Sequence, residues 1–294
     1  MSRLHGRFSG KSIIFFLFLS AGTLHVYAQE HPICDLGFAE HLVNKGYYLE
    51  ALFLLDSAGQ CSGVDNDTAN YLRGWSLYSL EKLQRSAEYL LKVEPTSQYY
   101  PKAHFFASYD FIHIGRYGEA LKILAKPGTE TLRYAPLTAF ERAGISLLKR
   151  DTAGFRLSID SVDRSRFELA NYIDKLEKLS ADLRTHKAKS PVVAGLMSAV
   201  LPGSGKWYAG KRGGAISAFL ANAGLGLVTW ENGRKSGYTS ARTLLFGSAF
   251  LVSYVANIYG AVVSVKIQEK DYYESTNNTI LFNLHIPLRN IFDR

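Results

Sequence analysis

Cysteine is almost missing from this chain, with only Cys34 and Cys61 among 294 residues. Two thiols without paired histidines make a poor zinc site, so metal binding is not expected there. A clustered nucleophile, base and orienting acid is missing as well. The eight histidines are scattered, and the acidic residues lie mostly on predicted helix surfaces opposite basic ones, so the sequence does not read as an enzyme. Metal, haem and flavin signals are lacking, and no cofactor is expected. Gly203-Ser204-Gly205-Lys206 is not a phosphate loop, because Val200 and Trp207 stand where that motif needs Gly and Ser or Thr. Charge is missing from two stretches, eighteen residues over 213–230 and twenty-three over 243–265. A helix rising about 1.5 Å per residue needs that length to cross roughly 30 Å of hydrocarbon.

What is present begins with an export signal. Arg3, Arg7 and Lys11 precede an apolar core from Ile13 to Ala21, and Val26-Tyr27-Ala28 precedes Gln29, which predicts cleavage after residue 28. The alternative is an uncleaved anchor with a short apolar core. Export places the following residues outside the inner membrane of a bacterium or in a secretory lumen, and we take the bacterial case. An oxidising compartment would let Cys34 and Cys61 pair as a disulfide; two buried thiols are the other reading. The formal charge is +8, and removing Arg3, Arg7 and Lys11 leaves 8 − 3 = +5. Much of that excess flanks the apolar block: Arg184, Lys187 and Lys189 before it, Lys206, Lys211 and Arg212 in its first loop, Arg234, Lys235 and Arg242 in its second. Lipid headgroups explain cations there, so the charge does not argue for nucleic acid.

Over residues 29–163 apolar residues recur at helical spacing. Small residues Ala51, Ala87, Ala120 and Ala153 mark a period of 36, 33 and 33. The stretches Gly115-Arg116-Tyr117-Gly118-Glu119-Ala120-Leu121 and Gly46-Tyr47-Tyr48-Leu49-Glu50-Ala51-Leu52 resemble the second-helix start of tetratricopeptide repeats (TPR). The second unit lacks the turn glycine, and the fourth keeps little beyond periodicity. The resemblance implies an all-α, TPR-like array of helical hairpins whose concave face takes a protein or peptide partner. Tyr71, Tyr78, His104 and His113 are candidates for that face, while Trp75, Tyr78, Phe105, Tyr109 and Phe111 are expected to fill the space between layers. Residues 164–189 read as a capping helix with Leu169, Ile173, Leu176, Leu179 and Leu183 on one stripe, followed by a basic linker.

Residues 190–266 form the apolar block. The turn Pro202-Gly203-Ser204-Gly205-Lys206-Trp207-Tyr208-Ala209-Gly210 resembles the Pro-Gly-x-Gly-x-x-Tyr-x-Gly motif of small bacterial membrane modules, including the two-transmembrane domain family. That resemblance implies a helical transmembrane module and no particular activity. Its motif residues here are Pro202, Gly203, Gly205, Tyr208 and Gly210. Two stripes carry an amide among small residues: Gly214, Ala218, Asn222 and Gly226, and Ala249, Ser253, Asn257 and Ala261. In lipid such stripes favour close helix association, so they are expected to face each other or a second copy of the chain. At their register the two amides do not pair, which leaves Asn257 to another helix, a second copy or an aqueous path. Residues 192–208 are either re-entrant, giving two spans, or a broken first span, giving three; basic residues flank both loops and do not decide. In the tail, 267–294, the alternation over 279–286 predicts one short strand. The reading is a scaffold in the bacterial inner membrane with a periplasmic array that binds a protein or peptide. The alternative is a component of a transport, membrane-insertion or envelope-assembly system whose helices line a path.

Overall fold

The computed structural model describes residues 35–58, 65–126, 133–164 and 167–292. The expected leader, Cys34 and Cys61 lie outside the described residues. Thirteen helices and no strand occur among those described. The first eight pair as four hairpins: α1 (Leu36–Asn44) with α2 (Tyr48–Ala58), α3 (Asn66–Ser79) with α4 (Leu83–Leu90), α5 (Tyr100–His113) with α6 (Tyr117–Leu124), and α7 (Ala135–Leu148) with α8 (Thr152–Asp160).

All four hairpins turn in the same way. Gly46, Glu81, Gly115 and Arg150 take left-handed backbone angles, with φ of 82°, 58°, 80° and 63°. The next amide reaches back five residues into the first helix: Tyr47 N–H to Leu42 O at 2.9 Å, Lys82 to Leu77 at 2.9 Å, Arg116 to Phe111 at 2.8 Å and Asp151 to Ser146 at 2.8 Å. This satisfies carbonyls that a helix end leaves orphaned. The turns recur after 81 − 46 = 35, 115 − 81 = 34 and 150 − 115 = 35 residues. Each second helix begins two residues later. The fourth residues of those helices are Ala51, Ser86, Ala120 and Phe155, all buried. Two of the sequence landmarks are therefore out of register: Ala87 is one place late, and Ala153 is two places early and exposed. A glycine-based search loses the second and fourth turns because Glu81 and Arg150 accept a left-handed backbone costing roughly 1–2 kcal/mol.

The core of the array is aromatic and aliphatic, with Phe105, Phe106, Phe140, Leu77, Leu90, Ile112, Leu124 and Ile145 all but sealed from solvent. Burying each such side chain contributes about 1.5–3 kcal/mol. Small residues let the helices close up: a methyl on Gly74 of α3 would stand 2.5 Å from Leu90 Cγ of α4. Asp35, Asp65 and Asp151 cap α1, α3 and α8 through their side chains. Helix α9 (Phe167–Thr185) follows, with Leu169, Ile173 and Leu176 of its apolar stripe buried.

The C-terminal part contains α10 (Pro191–Val200), α11 (Ser204–Tyr208), α12 (Arg212–Ser236) and α13 (Ala241–Phe292). At 52 residues, α13 extends about 78 Å. Its first half packs on α10, α11 and α12, and its second half packs on α5, α7 and α9. The tail is thus helical, which corrects the strand expected over 279–286. Ile280, Leu284 and Leu288, spaced by four, are all 0 % exposed against the array, whereas Phe282 is 59 % exposed. Eight residues of alternation fit both periods, and contact with the array selects the helical one.

Candidate functional site

The glycine-rich turn builds the apolar module. Gly203, with φ 89°, reverses the chain between α10 and α11 just after Pro202, and a methyl on it would lie 2.2 Å from Ala215 O of α12. A methyl on Gly205 would lie 2.0 Å from Ala194 O. Asn257 of α13 holds this turn from below: its Oδ1 accepts the Gly203 N–H at 3.1 Å, and its Nδ2 donates to Ser198 O at 3.4 Å. The Gly205 N–H donates to Ser198 Oγ at 3.1 Å, and the Tyr254 hydroxyl donates to Ala199 O. Tyr208 brings the end of α11 back to the start of α10, its hydroxyl accepting the Ser190 N–H at 3.2 Å. Gly210, φ 80°, then ends α11 and lets α12 begin. Residues 192–208 therefore fold as a hairpin whose two ends meet where Tyr208 bonds Ser190. The two long helices are the candidate spans, joined by 237–240 at the end away from the array.

Two helices are long and apolar enough to cross a membrane, and only 17 % of the most apolar window of each is buried. A core helix of a soluble protein would bury that window. Here Leu220, Leu227, Leu244, Leu245, Leu251, Val252 and Val255 face outward. Trp207 of α11 and Trp230 of α12 each lie near an arginine, at 5.8 Å for Arg212 at the start of α12 and 5.0 Å for Arg234 near its end.

The two small-residue stripes mate only in part. A methyl on Gly226 would lie 3.4 Å from Phe250 Cε2 and one on Gly247 3.5 Å from Thr229 Cγ2, so this end of the seam joins α12 to α13. Further along, Asn257 and Ala261 face the hairpin of α10 and α11 instead, while Ala249 and Gly214 are exposed and Ser253 is half-buried. A four-residue stripe rotates about 40° per step around a helix of 3.6 residues per turn, so its two ends meet different neighbours. On the α12 stripe, Ala218 and Asn222 are buried. Asn222 Nδ2 donates to Ala218 O at 2.8 Å, and its Oδ1 is buried without a partner.

The other site is the inner groove of the array, which the second half of α13 occupies. A methyl on Gly144 of α7 would lie 2.5 Å from Leu284 Cδ1. Arg150 donates to Asn277 Oδ1 at 2.7 Å, Tyr109 donates to Leu281 O at 3.4 Å, and Tyr78 bonds His285. Phe292 packs on Phe105, Phe106 and Tyr134. At the junction with the module, His186 stacks on Tyr272 at 3.7 Å and meets Glu269 at 2.8 Å. Glu269 also accepts the Lys189 N–H at 3.1 Å, and these bonds, His186 first, hold its carboxyl below the usual range.

Beside the end of α13 the groove opens into a cleft of about 850 Å³. Its walls are Tyr48, Trp75, Tyr78, Tyr109 and His285; its charged rim is Lys82, Arg85 and Arg289 against the single carboxylate Glu81. Of the four residues expected on the binding face, Tyr78 and His113 line this cleft. Tyr71 stacks on Tyr99 at 4.3 Å and His104 packs against Tyr100, both buried. Sequence reasoning missed Lys82, Arg85, His285 and Arg289, because their convergence depends on the tail folding back over 200 residues.

Two carboxyls depart from the surface placement expected of most acidic residues. Asp110 and Glu141 are both 0 % exposed. Burial pushes each up to about 8, and the nearby hydroxyls of Ser86 and Ser108 oppose that rise without closing well-formed hydrogen bonds. Both are neutral at pH 7 by this account. Burial, with Lys126 adding to it, pushes His104 down to about 4. Burial, followed by the two carboxyls, pushes the Tyr109 phenol up. The signal available in the sequence was an acid inside an apolar run, Tyr109-Asp110-Phe111. Comparison of the chain with protein-family models, with curated proteins and with solved structures finds no match.

Proposed function

We propose that the chain is a membrane-anchored, TPR-like scaffold whose array captures a protein or peptide partner at the cleft beside the end of α13. The observation that carries this reading is the cleft itself. It has the volume of a binding site, aromatic walls and an excess of cations at its rim, and it sits where the groove is left unfilled by the tail. An anionic or aromatic side chain of a partner would find both stacking surfaces and countercharge there. The rest of the inner groove is occupied by α13, so a partner engages the open end and not the full concave face.

A photocrosslinking residue placed at Ser79 in the cleft, with another at Leu157 on the outside of α8 as control, tests this. Leu157 is 78 % exposed and remote from the cleft walls. The reading expects an adduct from position 79 that is lost when Lys82 and Arg85 are changed to Glu. The same adducts from both positions, insensitive to the charge reversal, would refute it. The buried, unpartnered Asn222 Oδ1 is the one observation that favours a path through the module. Under that alternative, Asn222→Ala abolishes flux through reconstituted vesicles and leaves cleft crosslinking intact; unchanged flux would remove it.

A further inference from the structure

At the end of the module nearest the array, four cationic side chains come from the linker before α10, from α11 and from the start of α12. Lys189 lies in the linker before α10, with its Nζ 5.7 Å from the Tyr208 ring. Lys206 runs from α11 across the seam of the two long helices, where both expose glycine. Its Cδ would stand 3.9 Å from a methyl on Gly214 of α12, and its Cε 3.2 Å from a methyl on Gly260 of α13. Lys211 and Arg212 follow, joined to α11 by the Lys211 N–H bond to Lys206 O at 2.9 Å, with Arg212 over the Trp207 ring. Around them Gly210 and Gly213 have open space where a side chain would be.

Countercharge is short at this surface. Among the described residues Lys189, Lys206, Lys211 and Arg212 form no side-chain ion pair; the nearby Glu269 is engaged by His186 and the Lys189 amide, and of the four charges only that of Lys189 acts on it. At the opposite end Lys235 is paired with Glu231 at 2.5 Å, so part of that charge is neutralised. Trp207, 55 % exposed and 5.8 Å from Arg212, is of the residue type that settles at headgroup level where a helix crosses a bilayer. Unpaired ammonium and guanidinium groups at that depth need anions, and phosphodiesters are the anions there.

We propose that Lys189, Lys206, Lys211 and Arg212 form a site for the phosphodiester headgroup of an anionic phospholipid in the leaflet facing the array. The bound lipid fastens the hairpin of α10 and α11 to the two long helices through Lys206. The proposal goes beyond the scaffold reading and does not depend on the cleft; it depends on insertion of the module in a bilayer.

The test uses the full chain in nanodiscs with brominated lipids as fluorescence quenchers. Trp207 is read in a Trp75→Phe, Trp230→Phe background and Trp230 in a Trp75→Phe, Trp207→Phe background. At equal mole fraction, brominated phosphatidylglycerol is expected to quench Trp207 more strongly than brominated phosphatidylcholine. Lys206→Gln with Arg212→Gln is expected to lower that preference about 25-fold, at about fivefold per cation. Lys189→Gln with Lys211→Gln gives the same direction with neither side chain in the packed seam, should the first pair misfold. Equal quenching of Trp207 by both lipids, with Trp230 quenched normally, would overturn the site and leave insertion standing. Quenching of neither tryptophan would overturn insertion and the site together. Loss of the preference on adding inorganic phosphate, but not chloride of matched ionic strength, would assign the cations to a soluble anion and overturn the headgroup site.

Discussion

The two halves of α13 turn opposite things outward. From residue 241 to 265 the helix buries Thr243, Asn257, Ala261 and Val265 and turns Leu244, Leu245, Leu251, Val252 and Val255 outward. From 270 to 292 it buries Thr276, Ile280, Asn283, Leu284 and Leu288 and turns Lys270, Asp271, Glu274 and Ser275 outward. One continuous helix therefore presents an apolar outer face along one half and a charged outer face along the other. In the first half outward leucines cost nothing if the surroundings are hydrocarbon, and buried amides are satisfied within the module. In the second half water surrounds the outer face, and apolar burial in the groove supplies the stability. Because no break separates the halves, the array is held to the module by a rigid element as well as by the linker after α9.

This contrast can be broken most strongly at its apolar contacts. Leu284→Ala is expected to destabilise the array by about 2–5 kcal/mol, whereas Leu251→Ala, on the outward face of the first half, costs under about 1 kcal/mol. Denaturant titration in mild detergent, followed by Trp75 fluorescence in a Trp207→Phe, Trp230→Phe background, compares them. Equal costs would mean that the halves share one environment.

Buried amides should show the reverse order. Asn257→Ala removes the partners of Gly203 N–H and Ser198 O at once and is expected to cost about 2–4 kcal/mol of module stability. Asn283→Ala, whose amide only bonds Thr279 O of its own helix, should cost about 1 kcal/mol. Thermal aggregation of the purified variants ranks the two, and an inverted ranking would contradict the role given to Asn257.

A pH profile separates the regions in a third way. Asp110 and Glu141 have folded values near 8, well above their ordinary values of 3.8 and 4.5. A raised carboxyl value means that the folded state keeps a proton the unfolded chain releases. The contribution is therefore fully present below about pH 4 and is lost as pH rises through about 8, with a slope of at most about 1.4 kcal/mol per unit for each group. Glu141→Gln should flatten the melting temperature between pH 5 and 8. An unchanged slope would show that Glu141 is not held neutral. Residues 213–230 and 243–265 carry no charge, so the slope belongs to the array.

The smallest expected effect sits at the hairpin turns. Glu81→Gly relieves a left-handed non-glycine residue and should stabilise by about 1 kcal/mol. Arg150→Gly gives the same relief but removes the bond to Asn277 and the contact with the Tyr273 ring at 5.1 Å, so no gain is expected. A comparable gain from both in thermal melts would mean that Arg150 does not grip the tail.

Much of the architecture was legible in the residues because it rests on periodicity and on missing charge. The all-helical array, the stripe of α9 and the two long apolar helices follow from those signals. The register of the second and fourth hairpins was not legible, since Glu81 and Arg150 sit where the other turns use glycine. The tail was misread because Ile280, Phe282, Leu284 and Ile286 alternate over a length that fits either period. The candidate sites were half legible. Gly203, Gly205 and Tyr208 announced a tight turn, and Asn257 was expected to leave its partner stripe. The cleft required the fold, because His285 and Arg289 reach Tyr78 and Lys82 only through the return of α13.

The most direct test of one helix in two solvents is a pair of nitroxide labels at Leu251 and Phe282, which are 63 % and 59 % exposed on α13. In reconstituted bilayers the account predicts that the Leu251 label collides mainly with dissolved oxygen and the Phe282 label mainly with a water-soluble nickel chelate. Water accessibility at both positions would contradict it, and would make the apolar block part of a soluble helical protein.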